Sequence, residues 1–271
     1  MLLSSVIIVL REVLEAALLF SILIALSKQM KIDAGWLVWS LIIGVCSAIA
    51  YGMNVEYVSE WFEGVGQEVT NALIQLVIYF MLAFYMLMLS YFLHKHNISV
   101  KLLRFIMIVI TSLAMTREGA EIMLYYFSMT RSENYYSATV IGMTIGASIG
   151  ISVGLLFYYL LTSLKAEKSI FIGLVLLLLV AAGMVSQASL LLIQADWLPA
   201  QLPLWDSSAF LSEKSVIGQL LYALIGYEST PTTVQVSLYL LAYLLPLGLI
   251  LGVKFMYSKT KNSKTDNEGL H

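Results

Sequence analysis

The chain has 271 residues, of which 60% are hydrophobic and only 12% charged, with a mean hydropathy of +0.87. A soluble domain carries about 25% charged residues, so most of this exterior must face lipid and the chain reads as an all-α integral membrane protein. A net charge of -2 leaves no basic footprint for nucleic acid, and three histidines with one cysteine cannot build a zinc or thiol site of the usual kind.

A helix needs roughly 18 or more mostly apolar residues to cross about 30 Å of hydrocarbon. Seven runs meet that length: 2–27, 34–53, 70–93, 102–127, 137–164, 169–195 and 234–257. No Lys or Arg precedes the first run, and Arg11, Glu12 and Glu15 interrupt it, so it is expected to stay as a helix rather than be removed as a signal peptide. Cys46 falls in an apolar run and reads as packing. The dozen residues from Val216 to Tyr227, flanked by Lys214 and Glu228, suit an interfacial or re-entrant helix and are expected on the surface. Beyond Tyr257 the chain is polar and without hydrophobic period, which predicts disorder.

The cytoplasmic side of a membrane protein keeps the excess of Lys and Arg. One set of connections holds Lys28, Lys31, Lys95, Lys101, Arg104, Lys165 and Lys168, joined by the lysines near the C-terminus; the other holds Arg131 and Lys214. This predicts an N-terminus outside, a C-terminus inside, and a plasma-membrane protein of seven spans. The outside connections also collect acids, among them Glu60, Glu63 and Glu68, which would draw cations. The plainer reading is that acids gather wherever Lys and Arg are kept out. The triplet Asn97-Ile98-Ser99 falls in a loop placed inside and should carry no glycan.

The first run carries Arg11-Glu12-Val13-Leu14-Glu15 and the fourth carries Arg117-Glu118-Gly119-Ala120-Glu121, so R-E-x-x-E occurs twice, three helices apart. By the loop assignment the two helices run in opposite directions. The following helices carry small residues four apart, at Gly44, Ala48 and Gly52 in one and at Gly142, Gly146, Gly150 and Gly154 in the other, a stripe on which another helix can pack closely. Spans 1–3 and 4–6 therefore read as inverted repeats, an architecture that places substrate sites near the midplane. The chain divides into a first three-helix repeat (1–93), a second, inverted one (94–195), an extracytoplasmic loop with an interfacial helix and the seventh span (196–257), and a cytoplasmic tail (258–271).

On a helix Glu12 and Glu15 share one face, and Arg11 can pair with Glu15 one turn on; Arg117, Glu118 and Glu121 repeat the pattern. Brought together, four carboxylates and two guanidiniums sum to -2, which calls for a cation. Each charge at the centre of a span costs about 2.5 to 3.5 kcal/mol on the insertion scale, so three in one helix cost roughly 8 to 10. Such charges read by default as function, with ion pairing between helices as the structural alternative. Carboxylate oxygens suit Mg, Ca, Mn and oxidised iron rather than softer ions. The 13 methionines form no pattern near the motifs and read as packing.

R-E-x-x-E in the first and fourth of seven helices resembles the oxidase-dependent iron permease family, which has fungal and bacterial members. Glu60-Trp61-Phe62-Glu63-Gly64 is similar to that family's acidic Glu-x-x-Glu-Gly element, and Gly218-Gln219-Leu220-Leu221 through Gly226-Tyr227-Glu228 with Pro231 to its segment before the last helix. The resemblance implies a permease and no enzyme, with no tightly bound cofactor. It implies ferric iron as the substrate, supplied outside the cell by a multicopper oxidase, a haem peroxidase or an iron-binding lipoprotein. Glu12, Glu15, Glu118 and Glu121 would be the iron ligands, with Arg11 and Arg117 as flanking charges. The first motif departs from the usual R-E-G-L-E by having Val13 where glycine is common, and the second has Ala120 for leucine. Other readings are a permease for another cation such as manganese or lead, a non-transporting scaffold held by the ion pairs, and an intramembrane metalloprotease. The last lacks histidines in any span.

Overall fold

The computed structural model describes residues 2–95, 99–130 and 136–268, with side chains at 2–91, 99–129 and 136–252. Among these residues the structure is helical, with no strand beyond an isolated bridge between Pro203 and Thr232. In chain order the helices are α1 (Leu2–Gln29), α2 (Gly35–Met53), α3 (Val55–Ser59), a single 3-10 turn (Trp61–Gly64), α4 (Gly66–Lys95), α5 (Val100–Thr130), α6 (Tyr136–Ser163), α7 (Ala166–Gln194), α8 (Val216–Ile225) and α9 (Thr233–Glu268).

Five of them, α2, α4, α6, α7 and α9, are long and apolar enough to cross a membrane. α1 and α5 have 28 and 31 residues, but each carries an R-E-x-x-E motif in mid-helix, and those charges set them apart from the other five. Helical backbone continues past residue 258, where polar composition predicts disorder, as far as Glu268. Extending a helix already formed needs no new nucleus. The side chains of Lys95, Arg131, Glu133, Asn97 and the three histidines lie outside the described residues.

Two close pairings organise the molecule. Along α6, Gly142 meets Leu2 and Ser5, Gly146 meets Val6 and Leu10, Gly150 meets Val13, and Gly154 meets Ala17 and Ser21. The numbers rise together, so α1 and α6 run parallel. A Cβ on any of these glycines would lie 2.5–2.8 Å from α1, a distance that only a bare backbone allows. α2 lies parallel to α5 in the same way: the Ser40 and Thr111 hydroxyls are 2.5 Å apart, Gly44 meets Met115, Ala48 meets Gly119, and Gly52 meets Met123. α1 and α5 are antiparallel, since Ser5 bonds Tyr125 while Glu15 meets Arg117. Between α4 and α7 the buried Gln75 donates to Gln187 at 2.6 Å.

The apolar core is built from α1, α4, α5 and α7, with Leu19, Ile22, Leu82, Tyr85, Met107, Ile110 and Leu177 fully buried. α2, α6 and α9 each add only an edge residue to it, Trp36, Leu161 and Ala242, and expose Trp39, Ile42, Leu156, Tyr159, Leu241 and Leu244. Apolar surface of that extent marks contact with lipid. On the exposed face of α6 the hydroxyls are satisfied within the helix, as lipid requires: Thr144, Ser148 and Ser152 each donate to the carbonyl four residues back. Pro246 inside α9 has no N–H to offer the Ala242 carbonyl. The Tyr79 hydroxyl of α4 donates to that carbonyl at 3.2 Å instead.

α8 corrects the expectation of a helix left on the surface. Ser215 caps its start by accepting from the Gly218 N–H, and Gly226 ends it in the left-handed region at φ 65. Gly226 rests on Gly183 in the middle of α7, where neither position has room for a Cβ. Ala223, Leu220 and Leu224 pack with Leu10, Leu14 and Leu18 of α1. A segment too short to span therefore dips in to the level of the first motif. Its length predicts either an interfacial or a re-entrant helix; in the structure it is packed against α7 and α1.

Candidate metal centre

Antiparallel α1 and α5 bring the two motifs to the same height. At a rise of 1.5 Å per residue, Glu12 lies about 15 Å from the start of α1 and Glu118 about 18 Å from the end of α5, and these two ends lie on the same side of the bundle. Glu12, Glu15 and Glu118 are buried, and one carboxylate oxygen from each lies within 4.8 Å of the others. Oxygen ligands sit about 2.0 to 2.6 Å from a hard cation, so two on opposite sides of it are about 4 to 5 Å apart. The three glutamates match that spacing.

Arg117, only 4% exposed, holds the cluster together with both terminal nitrogens. Its Nη1 meets Glu15 Oε2 at 3.3 Å and bonds Glu118, and its Nη2 meets Glu121 at 3.3 Å. Arg11 is looser, with its Nε 3.5 Å from Glu15 and 3.9 Å from Glu12. Oε2 of Glu12, Oε1 of Glu15 and Oε2 of Glu118 are buried and accept no hydrogen bond. Buried anionic oxygens are costly unless paired or on a metal; Glu15 Oε1 has only the Arg11 Nε at 3.5 Å, and the other two accept nothing, so each glutamate keeps an oxygen open to a cation.

Glu121 stands apart from this trio. Its side chain is 28% exposed and its Oε1 accepts from Asn71 Nδ2 at 3.2 Å, while the Tyr51 hydroxyl donates to Asn71 Oδ1 at 3.0 Å. Glu121 lines a cavity of about 290 Å³ with Gln67, Glu68, Asn71, Leu124, Leu191 and Gln194. Of the three acids expected to gather cations, Glu68 is therefore beside Glu121. Glu60, just before the 3-10 turn, and Glu63, within it, are exposed and do not line the cavity. Phe62, Glu63 and Gly64 are left-handed there, at φ 53, 66 and 98, and Phe62 packs edge-on against Trp197, 5.5 Å between ring centres.

The model of the iron permease FTR1 family matches residues 2–265. The chain belongs to that family. It is an iron permease, a multi-pass membrane protein and no enzyme, which removes the metalloprotease and scaffold readings. Its similar relatives include proteins named ferrous iron permease EfeU from Yersinia pestis and from Yersinia pestis bv. Antiqua (strain Antiqua), each 25% identical over 260 residues covering 89% of both chains. The EfeU of Yersinia pseudotuberculosis serotype I (strain IP32953) is also 25% identical, covering 89% of this chain and 88% of its own. No solved structure matches.

In this FTR1-family chain Val13 is accommodated by its partner helix. Gly150 lies opposite it, while Gly119, the glycine of the second motif, lies opposite Ala48. The bulk lost on one helix of each pair is gained on the other, so both pairs pack closely. Sequence reasoning missed Asn71 and Tyr222. Asn71 and Gln75, one turn apart in the apolar α4, carry the signal that could have found the first, because buried polar side chains in spans bond across helices. Tyr222 stacks on Arg11, with the guanidinium carbon 4.0 Å from its ring centre. A tyrosine in a short apolar run carries no such signal.

Proposed function

We propose that the chain imports ferric iron across the plasma membrane through seven spans, with Glu12, Glu15 and Glu118 as the central ligands and Glu121 with Glu68 as the approach from outside. The observation that carries this is the buried trio of carboxylates, one oxygen of each within 4.8 Å of the others, with a buried oxygen on each glutamate that accepts no hydrogen bond. The pairing of α1 with α6 and of α2 with α5 supports two inverted three-helix repeats, because exchanging the halves turns one pair into the other. On that reading α1 and α5 are spans whose charges are shielded from lipid by the helices around them, and the cavity at Glu121 opens to the outside. The Lys and Arg asymmetry supports an N-terminus outside. An extracytoplasmic oxidase, haem peroxidase or iron-binding lipoprotein would deliver the ion.

Hard oxygen ligands favour the ferric state. The name of the EfeU relatives, ferrous iron permease, favours ferrous iron as a second reading. Radiolabelled iron uptake into proteoliposomes separates them: the ferric reading expects uptake to survive a ferrous chelator and to fall in ascorbate, and the reverse result supports the second. In the same assay glutamine at position 12, 15 or 118 removes an anionic ligand at constant size and leaves an arginine undercompensated. Uptake should fall at least about tenfold for each, since a buried charged partner is worth about 1.5 to 3 kcal/mol or more. Glu121→Gln should chiefly raise the half-saturation concentration. Parental uptake by a normally inserted Glu118→Gln protein would return the trio to an ion-pair network between helices.

A further inference from the structure

The two arginines of the centre have the same place in their motifs and opposite surroundings. Arg117 is enclosed, and both its terminal nitrogens are spent on carboxylates. The Arg11 side chain is 37% exposed and turns only its Nε toward Glu12 and Glu15. Its Nη2 donates to the Tyr222 hydroxyl, and its plane lies over the Tyr222 ring at 4.0 Å. A guanidinium grips a carboxylate best as a fork, through two parallel N–H bonds. With one terminal nitrogen given to Tyr222, Arg11 presents no such fork to either glutamate.

We propose that Tyr222 is a positioning residue for ion capture: by holding Arg11 through its hydroxyl and ring face, it keeps Glu12 and Glu15 from being occupied by their own arginine. This rests on the reading of the trio as the iron site. The α8 helix that carries Tyr222 belongs to neither set of three helices, and its placement is fixed independently by the contact of Gly226 with Gly183 and by Ala223 among the α1 leucines. Cation–π attraction and the hydroxyl bond together offset what Arg11 would gain by turning onto the carboxylates. Without the tyrosine the guanidinium is free to fork onto Glu15 or Glu12, and an arriving cation must displace it.

The test compares iron uptake by full-length protein in proteoliposomes for Tyr222→Leu, Tyr222→Phe, Arg11→Gln and the doubles, with terbium(III) titration of the purified proteins as a hard-cation probe that needs no transport. Tyr222→Leu should raise the half-saturation concentration about tenfold, because the hydroxyl bond and the ring face are lost together, with the maximal rate within about twofold. Tyr222→Phe keeps the ring face and should raise it by about threefold, the smaller share left to the hydroxyl. In an Arg11→Gln background either change should do nothing further, because the competitor is gone. Should Tyr222→Leu fail to insert, the Phe variant with and without Arg11→Gln makes the same comparison. Unchanged half-saturation and terbium affinity in the Tyr222 variants overturn the proposal, as does an equal loss with and without Arg11, which would mark a merely structural tyrosine. Glu118→Gln, run beside them, separates the two ideas: a normal Glu118→Gln protein defeats the iron site itself, whereas its loss beside neutral Tyr222 variants defeats only the role of Tyr222.

Discussion

A carboxyl that is half-buried beside a second carboxyl resists ionising, and Glu228 in the loop after α8 is such a group. Burial, then the nearby Glu213, push it from its ordinary 4.5 up to about 7, against the Gln235 amide that donates to it at 2.5 Å and the more distant Arg11. The folded chain thus holds this proton more tightly than the unfolded one. The stability it contributes is full below about 4.5 and is lost as pH rises through about 7. The detergent-solubilised protein should therefore unfold at lower temperature at pH 8 than at pH 5.5, by a margin that shrinks in Glu228→Gln, whose amide stays neutral and still accepts from Gln235. An unaltered pH profile in that variant would remove Glu228 as the cause. At this scale the sequence is legible where charge is conspicuous. Arginines and glutamates in an apolar run announce themselves by their cost, so both motifs can be read in advance. Asn71 cannot be assigned to Glu121 without knowing which face of α4 turns toward α5, nor Tyr222 to Arg11 without the descent of α8.

Single helices were readable to the extent that length and hydropathy define them. The runs from 34 to 53 and from 169 to 195 lie within a residue or three of α2 and α7. α8 was harder, because a dozen apolar residues fit a surface helix as well as a buried one, and the deciding contact lies between glycines more than 40 positions apart in the chain. Proline in α9 is likewise invisible as a defect until its neighbour is known. Pro246 frees the Ala242 carbonyl, and Tyr79 takes it up. Tyr79→Phe should accordingly destabilise the protein by about 0.6 to 1.5 kcal/mol, the range for a hydrogen bond in a membrane interior. Pro246→Ala restores an N–H four residues on, so the cost of Tyr79→Phe in that background should be smaller. Equal costs in thermal unfolding of both backgrounds would show that the tyrosine is held for its ring alone.

For the whole molecule, orientation is the plainest consequence to check. In a chain with Cys46 replaced, a cysteine introduced at Glu60 should react with an impermeant reagent from outside and one at Glu167, at the start of α7, only after the cells are opened. External labelling at 167 would reverse the assignment. The sequence pointed to two similar halves but not to how they embrace, because a stripe of glycines states that something packs closely and not what. In the structure each motif helix takes its closest partner from across the chain: α1 lies along α6 and α5 along α2. This interlocking bears on how the protein is made. As synthesis proceeds, α1 is complete at Gln29 with three charged side chains while Arg117 is still 88 residues from being translated and the glycine face of α6 more than 100. A fragment ending at residue 95 would hold those charges with nothing to cover them and should be short-lived in a pulse-chase, yet persist when residues 96–271 are co-expressed as a separate piece. The newborn first helix must wait, sheltered by the insertion machinery, for a companion that arrives late.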